Sequence, residues 1–198
     1  MFASFINPLR FHWNMPKGLK QTSSPIEIST FGVLQTDQVN PQFVSKAVDL
    51  QLNPLDNEVF VVTSIKIDFE TGMPIPYRAQ VGAFSLFQRC SVSTNKQISY
   101  RGIDSSSVLS AADLNYYMFT DNAGGFDYIL QENNAMDTPP ASQDYIGIIA
   151  TNDFYVNYFC SGEFIVQDIK ANVRVYGYRA QADSSTYAAL VQSEILSS

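Results

Sequence analysis

The sequence of 198 residues predicts an all-β protein, an antiparallel sandwich or barrel built as a single globular domain. Seven or eight stretches alternate apolar and polar residues, which is the pattern of strands with one buried face. Clusters of proline, glycine, asparagine and serine separate these stretches, and little of the chain has helical periodicity. A hydrophobic content of 45% supports one sizeable core.

Residues 1–24 are predicted to form an extended arm, because prolines punctuate the segment and its aromatic residues follow no regular period. The arm contains the only histidine of the chain, His12, and the only tryptophan, Trp13. The apolar side chains of the arm are Phe2, Phe5, Ile6, Phe11 and Trp13, and they carry too much apolar area to remain in water. We therefore expect the arm to pack on its own sandwich or on a neighbouring subunit, with Phe11, His12 and Trp13 as anchors.

Strands are predicted after the arm, first at residues 26–35 and 47–52. At residues 59–69 one face is expected to be buried, and that face consists of Val59, Val61, Thr63, Ile65, Ile67 and Phe69. Residues 81–92 follow the same pattern, with the inner set Phe84, Leu86, Cys90 and Val92. The remaining predicted strands are residues 126–130, 145–150, 154–160 and 163–179.

Two segments are predicted to be helical. The first, SSVLSAADLNYYMF, starts near Ser106 on a long connection, and the second is DSSTYAALVQSEIL at the end of the chain, with Asp183 as its N-cap. The apolar residues that recur at helical spacing in the second are Tyr187, Leu190, Val191 and Ile195. The chain is thus divided into the arm (1–24), a β-sandwich (25–182) and a C-terminal amphipathic helix or tail (183–198).

The charge pattern argues against nucleic acid as the main partner. The net charge is −7, only 16% of the residues are charged, and no lysine or arginine lies between residues 102 and 169. A chain of this charge is repelled by phosphate backbones, and Arg10, Lys17 and Lys20 in the arm allow at most weak nucleic-acid contact. No apolar run reaches the ~20 residues that span a bilayer, so no membrane span is predicted.

The residue types exclude most catalytic arrangements. A Ser-His-Asp or Cys-His site would depend on His12, which lies in an arm without rigid support, and a cupin-type metal site needs several histidines. Cys90 and Cys160 match no metal motif and are expected to be free, buried thiols, although a disulfide between them is left open. We therefore predict a protein with no enzymatic activity and no cofactor.

An ion site in the acidic middle of the chain is an alternative. The loop TDNAGGFD offers Asp121, Asn122 and Asp127 as oxygen ligands for calcium, although its spacing differs from that of an EF-hand. Hydrolysis by two carboxylates is a second alternative, because ten acidic residues lie between residues 104 and 168. A solvated acidic loop explains the same residues without any chemistry.

Residues 26–182 resemble, in architecture, the single jelly-roll capsid proteins of icosahedral viruses. The shared features are an aromatic arm, about eight short antiparallel strands, loops with proline and glycine, few charges and a long last strand, GEFIVQDIKANVRVYGYR. The resemblance implies an eight-stranded jelly-roll β-sandwich with an extended N-terminal arm and a short C-terminal helix. It also implies a structural subunit of the virion that self-assembles with identical or related capsid subunits through its loops and termini.

Both termini are the expected contacts between subunits. The residues predicted to make them are Phe5, Phe11, His12, Trp13, Tyr187, Leu190 and Val191. The arm departs from the strongly basic arm of many capsid proteins that package single-stranded genomes, since it has only three cations. A carbohydrate- or receptor-binding β-sandwich module of a virion appendage is the alternative, because tyrosines and acidic loops also suit that function.

Overall fold

The described part of the chain contains eleven strands, one α-helix and a short 3-10 helix at Pro54–Asp56. A computed structural model describes residues 18–34, 42–70, 82–120, 126–133, 136–139, 143–162 and 169–196. The first strands are β1 (Leu19–Gln21), β2 (Ile26–Leu34), β3 (Gln42–Asp49), β4 (Glu58–Glu70), β5 (Gly82–Ser93) and β6 (Val108–Thr120). They are followed by β7 (Phe126–Asn133), β8 (Met136–Asp137), β9 (Gly147–Ile149), β10 (Asp153–Gly162), β11 (Ile169–Ala182) and α1 (Ser184–Leu196).

The strands form two antiparallel sheets. In the first sheet β11 lies between β2 and β4, and β4 also pairs with β8 and β9, while the short strand β1 extends the pairing of β11. The second sheet has the order β3-β10-β5-β6-β7. The two sheets face each other across a shared core, so the predicted all-β sandwich is confirmed.

The connectivity is that of a jelly roll. Eight strands make up its body, in chain order β2, β3, β4, β5, β6, β9, β10 and β11. The first of these pairs with the last, the second with the seventh, the third with the sixth and the fourth with the fifth. Because each pair is antiparallel and successive pairs wrap around one core, the chain forms the double-sheet arrangement of two Greek keys.

The main core lies between the inner faces of the two sheets. Among its buried side chains are Ile65, Ile67, Val173 and Val175 of the first sheet and Leu86, Val92, Phe154, Val156 and Tyr158 of the second. The Tyr158 hydroxyl donates to Gln88 Oε1 at 2.5 Å, so a polar pair lies within this core. Burial of an apolar side chain contributes roughly 1.5–3 kcal/mol, and this layer is therefore the main source of stability.

A β-bulge in β4 changes which residues face the main core. Ser64 pairs with Tyr176 and Val62 with Gly177, so Thr63 has no partner residue in β11. The prediction of a single buried face is confirmed at Ile65 but wrong at the start of the strand. Before the bulge the inner residues are Phe60 and Val62, whereas Val59 and Val61 are buried on the outer face of the first sheet.

The helix predicted near Ser106 is wrong, since this segment contains the thirteen-residue strand β6. Its alanines and leucines favour a helix when they are considered alone, but β6 pairs with β5 on one side and with β7 on the other. Ala112 and Leu114 are buried on the inner side of the sheet. Tertiary pairing therefore overrides local propensity here.

The other predicted strands agree with the structure apart from their ends. The strand predicted at residues 47–52 lies earlier, at Gln42–Asp49, because Gln51 adopts a positive φ of 52° that ends the extended run. The strand predicted at residues 145–150 is shorter, at Gly147–Ile149. The predicted last strand ends three residues later, at Ala182, and its first six predicted residues, 163–168, lie outside the described residues.

Both cysteines are free and buried, as predicted. They lie in the adjacent strands β5 and β10, where Cys90 is opposite Tyr158 and Cys160 is opposite Gln88. Burial raises the pKa of the Cys160 thiol to about 12 and also raises that of Cys90. Both thiols are therefore protonated at neutral pH and behave as small apolar side chains.

Candidate interaction surfaces

The helix α1 packs on the outer face of the first sheet. The buried residues beneath it, here called the outer cluster, are Val59, Val61, Ala150, Tyr178, Ala180 and Ala182. Tyr187, Leu190 and Val191 pack on this cluster as half-buried side chains, so they contact their own chain. Their use in a contact between subunits stays a prediction. The fourth predicted member of this apolar stripe, Ile195, is 63% exposed and does not belong to it.

The N-cap prediction for α1 is confirmed. Asp183 Oδ1 accepts a hydrogen bond from the backbone N–H of Thr186 at 2.7 Å and another from the Ser185 hydroxyl at 2.8 Å. These bonds favour the charged carboxylate and lower the pKa of Asp183, with the Thr186 backbone as the largest cause. The backbone N–H of Asp183 donates to the Gly18 carbonyl, which ties the start of the helix to the residue before β1.

The far end of α1 is held by a buried carboxylate, Glu194, which sequence reasoning missed. The Glu194 carboxylate accepts hydrogen bonds from the backbone N–H groups of Ala150 (2.8 Å) and Thr151 (3.0 Å). The Asn95 side chain donates to the Glu194 carbonyl at 2.7 Å. The signal in the sequence was a single charged residue in an otherwise uncharged helix. Glu194 thus fixes the last turn to two separate connections.

One end of the sandwich, here called the loop end, is formed by the connections β3–β4, β5–β6 and β9–β10 and by the last turn of α1, which is bonded to two of them. The backbone N–H of Leu50 donates to the Asn152 carbonyl at 2.8 Å and that of Leu52 to Asn152 Oδ1 at 2.7 Å, so two of these connections are tied together. The large aliphatic side chains exposed at this end are Leu55, Ile98, Ile103, Ile195 and Leu196. Leu55 is 91% exposed and Ile98 is 90% exposed, although aliphatic side chains of this size are usually covered by other residues.

A second surface lies on the outer face of the second sheet. Phe159 alternates with the buried Tyr158, so its ring points away from the core, and it lies 6.4 Å from the ring of Tyr100 in the β5–β6 connection. The guanidinium group of Arg89 lies 5.8 Å from the Tyr100 ring centroid. Burial raises the pKa of Tyr100 to about 12, so its hydroxyl stays neutral at physiological pH.

The same face continues along β5 and β6 with another aromatic pair. The rings of Phe87 and Tyr117 meet edge to face at a centroid distance of 5.4 Å. Asn115 donates from its side-chain amide to Asp113 Oδ2 at 3.2 Å. Half-buried rings with neighbouring amide and carboxylate groups form a surface that can stack on a flat apolar ligand and hydrogen-bond with a polar one.

Several of the site residues that the sequence predicted lie outside the residues that the structure describes. Phe5, Phe11, His12, Trp13, Arg10 and Lys17 lie outside the described residues. The proposed calcium ligands Asp121 and Asn122 also lie outside them, and of Asp127 only the backbone is described. Lys20 is exposed on β1. Within the described ranges, no group of three or more His, Cys, Asp or Glu side chains is arranged to hold a metal ion.

Among the residues that the structure describes, no helix has the length and apolar character needed to cross a membrane. The chain matches no protein-family model. It also matches no curated protein.

Proposed function

We propose that this chain is a structural subunit of an icosahedral viral capsid, which self-assembles into a shell through its loops and terminal segments. The observation that carries the proposal is the loop end, where five large aliphatic side chains on three segments are between 63 and 91% exposed. Exposed aliphatic side chains are unfavourable in water, and clusters of them are typical of surfaces that another protein covers. In this role the chain works in the virion and needs neither catalytic activity nor a cofactor.

The sandwich fold and the low content of charged residues also support assembly. The two antiparallel sheets pack about 10 Å apart and form a rigid slab, which suits the wall of a shell. Charged residues make up 16% of the chain, well below the roughly 25% of average soluble domains. A surface with few charges loses little hydration energy when it is buried against another subunit. Contacts with identical or related subunits therefore suit its composition.

Contact with a genome would be weak. Lys20 is exposed on β1, and it follows Lys17 and Arg10 in the sequence. Three cations neutralise few phosphates, so their contribution to binding would fall away at physiological salt. We expect shell formation to proceed without nucleic acid.

The proposal is tested by light scattering and negative-stain electron microscopy of the full chain and of two truncations. Removal of residues 1–17 leaves β1 intact, whereas removal of residues 1–24 also deletes β1 and its pairing with β11. We expect the full chain to form large closed particles and both truncations to assemble less well. A monodisperse monomer in every condition, with no effect of truncation, would contradict the proposal.

A second candidate function is carbohydrate or receptor binding by a virion appendage, and the aromatic face of the second sheet favours it. The ring pairs Tyr100–Phe159 and Phe87–Tyr117 lie on this face with Arg89 beside them. Aromatic rings stack on the apolar faces of sugars, and amides bind their hydroxyls. A glycan array would reveal such binding, and Tyr100→Ala and Tyr117→Ala should then abolish it without changing assembly.

A further inference from the structure

The exposed side of α1 lacks the charged residues that usually solvate a surface helix. Its exposed residues are Ser184, Ser185, Ala188, Ala189, Gln192, Ser193, Ile195 and Leu196. The only charged side chain in the helix, Glu194, is buried against the β9–β10 connection. Small side chains at Ala188 and Ala189, in the middle of the helix, would allow a second helix to approach closely.

Acidic residues gather at the start of this helix. The Asn57 side-chain amide lies 3.5 Å from the Ser184 hydroxyl, which places the β3–β4 connection beside the first turn of α1. Residues 49–58 contain three carboxylates and no cation, and one of the three, Glu58, forms an ion pair with Arg179 of β11, at 3.4 Å. Asp56 is exposed there, next to the exposed Leu55, and Asp183 is exposed at the N-cap. The N-terminal end of α1 therefore combines an apolar tip with negative charge.

Basic residues gather at the other end of the helix. Asn95 donates to the Glu194 carbonyl, which places the β5–β6 connection beside the last turn of α1. Lys96 and Arg101 are exposed on this connection, close in sequence to the exposed Ile98. Residues 94–107 also contain one carboxylate, so the connection has a net charge of one positive. The two apolar tips thus lie at opposite ends of α1 and carry opposite charge.

We infer that α1 and the two tips beside it form a self-complementary surface that binds a second copy of this chain about a two-fold axis. A helix of thirteen residues is about 20 Å long, and a two-fold axis through its middle places it antiparallel to its copy. The acidic tip at Leu55 and Asp56 then faces the basic tip at Lys96 and Ile98 of the other copy, twice in one dimer. Charge complementarity sets this orientation, and burial of the aliphatic side chains supplies the affinity.

This inference rests on the proposed function, because it names one of the contacts through which the subunit would associate. Ala188 and Ala189 lie near the axis, where each helix meets its copy, and the polar side chains around them remain at the rim. Antiparallel helices also place the positive end of each helix dipole beside the negative end of the other. A parallel arrangement would bring like charges together at both tips and is therefore disfavoured.

The experiment uses charge reversal in the full chain, with sedimentation velocity over a range of protein concentrations. Asp56→Lys and Lys96→Glu are each expected to raise the dimer dissociation constant about tenfold or more, since each reversal acts at two symmetric contacts. The double variant Asp56→Lys/Lys96→Glu restores opposite charges across the axis and should recover most of the wild-type affinity. Ala188→Arg should abolish the dimer, because a large charged side chain would lie at the axis.

Matched controls come from the same sheet, far from this surface. Asp68→Lys and Lys66→Glu reverse exposed charges on β4 beyond the bulge, and they should leave the dissociation constant unchanged. A thermal melt of each variant shows that it is folded. If Asp56→Lys, Lys96→Glu and Ala188→Arg all associate as the wild type does, or if the wild type stays monomeric near 1 mM, the inference is wrong. Particles formed by the wild type and unaffected by these variants would leave the proposed function standing.

Discussion

Replacement of Glu194 by glutamine should weaken the attachment of the last turn of α1 to the sandwich. The carboxylate accepts two backbone N–H groups at 2.8 and 3.0 Å, and the residue is only 7% exposed. Glutamine keeps one acceptor oxygen but points an amide N–H₂ toward a backbone donor, so one buried N–H group loses its partner. A hydrogen bond to a charged group contributes about 1.5–3 kcal/mol, and we expect a loss of about 2 kcal/mol in the free energy of unfolding.

The assay is a thermal melt followed by circular dichroism, supported by urea denaturation. For a chain of this length, a loss of about 2 kcal/mol lowers Tm by about 4–8 °C. Gln192→Ala, on the exposed side of the same turn, is the matched control and should change Tm by less than about 2 °C. Equal melting temperatures for Glu194→Gln and wild type would refute the anchoring role of this carboxylate.

Three further predictions follow from the fold. Gly177→Ala should destabilise the chain by about 2–3 kcal/mol in urea denaturation. The Cβ of the alanine would press on the Val61 carbonyl and lie 2.6 Å from Phe60 Cε1 at the bulge. A variant as stable as the wild type would contradict this packing. Because the pKa of Asp183 is lowered, its contribution to helix stability is present above the ordinary value of 3.8 and is lost as the pH falls through the lowered value. Asp183→Asn should therefore flatten the acid side of a plot of Tm against pH. An unchanged slope would exclude this contribution. Cys90 and Cys160 should not react with a thiol reagent at pH 8 until the chain unfolds in guanidinium, and rapid labelling of the native protein would show that they are accessible.

Features with a local cause could be predicted from the sequence. The alternation in residues 59–69 identified β4, because one side of the strand from Ile65 onward faces the core. Asp183 was recognisable as an N-cap, since its partner Thr186 lies three residues away. The inner residues Leu86, Cys90 and Val92 of β5 were identified by the same alternation.

Features that depend on distant residues could not be predicted in the same way. The bulge at Thr63 is defined by the register of β4 against β11, more than a hundred residues later, and it reverses the orientation of Val59 and Val61. β6 is a strand only because β5 and β7 pair with it. The partners of Glu194 lie 43 and 44 residues earlier in the chain, so its anchoring role is invisible to any local pattern.

On the surface, too, some features could be predicted from the sequence and others could not. Leu190 and Val191 had the spacing of an apolar stripe, and the structure packs them on the outer cluster of the same chain. The exposure of Leu55 and Ile98 could not be read from the sequence, because each lies in a connection whose burial depends on the ends of strands in both sheets. Leu55 and Ile98, together with Ile195 at the end of the helix, are exposed to a partner, whereas the rest of the predicted stripe is packed on its own chain.

The most direct test of self-assembly is electron microscopy of the purified 198-residue chain, without nucleic acid, over a range of protein concentrations. We expect closed particles of uniform diameter, which appear cooperatively above a threshold concentration, as an association through several contacts on each subunit requires. Fields that contain only single small subunits at every concentration, in agreement with a monomeric mass by light scattering, would contradict our proposal that this protein is a shell-forming subunit.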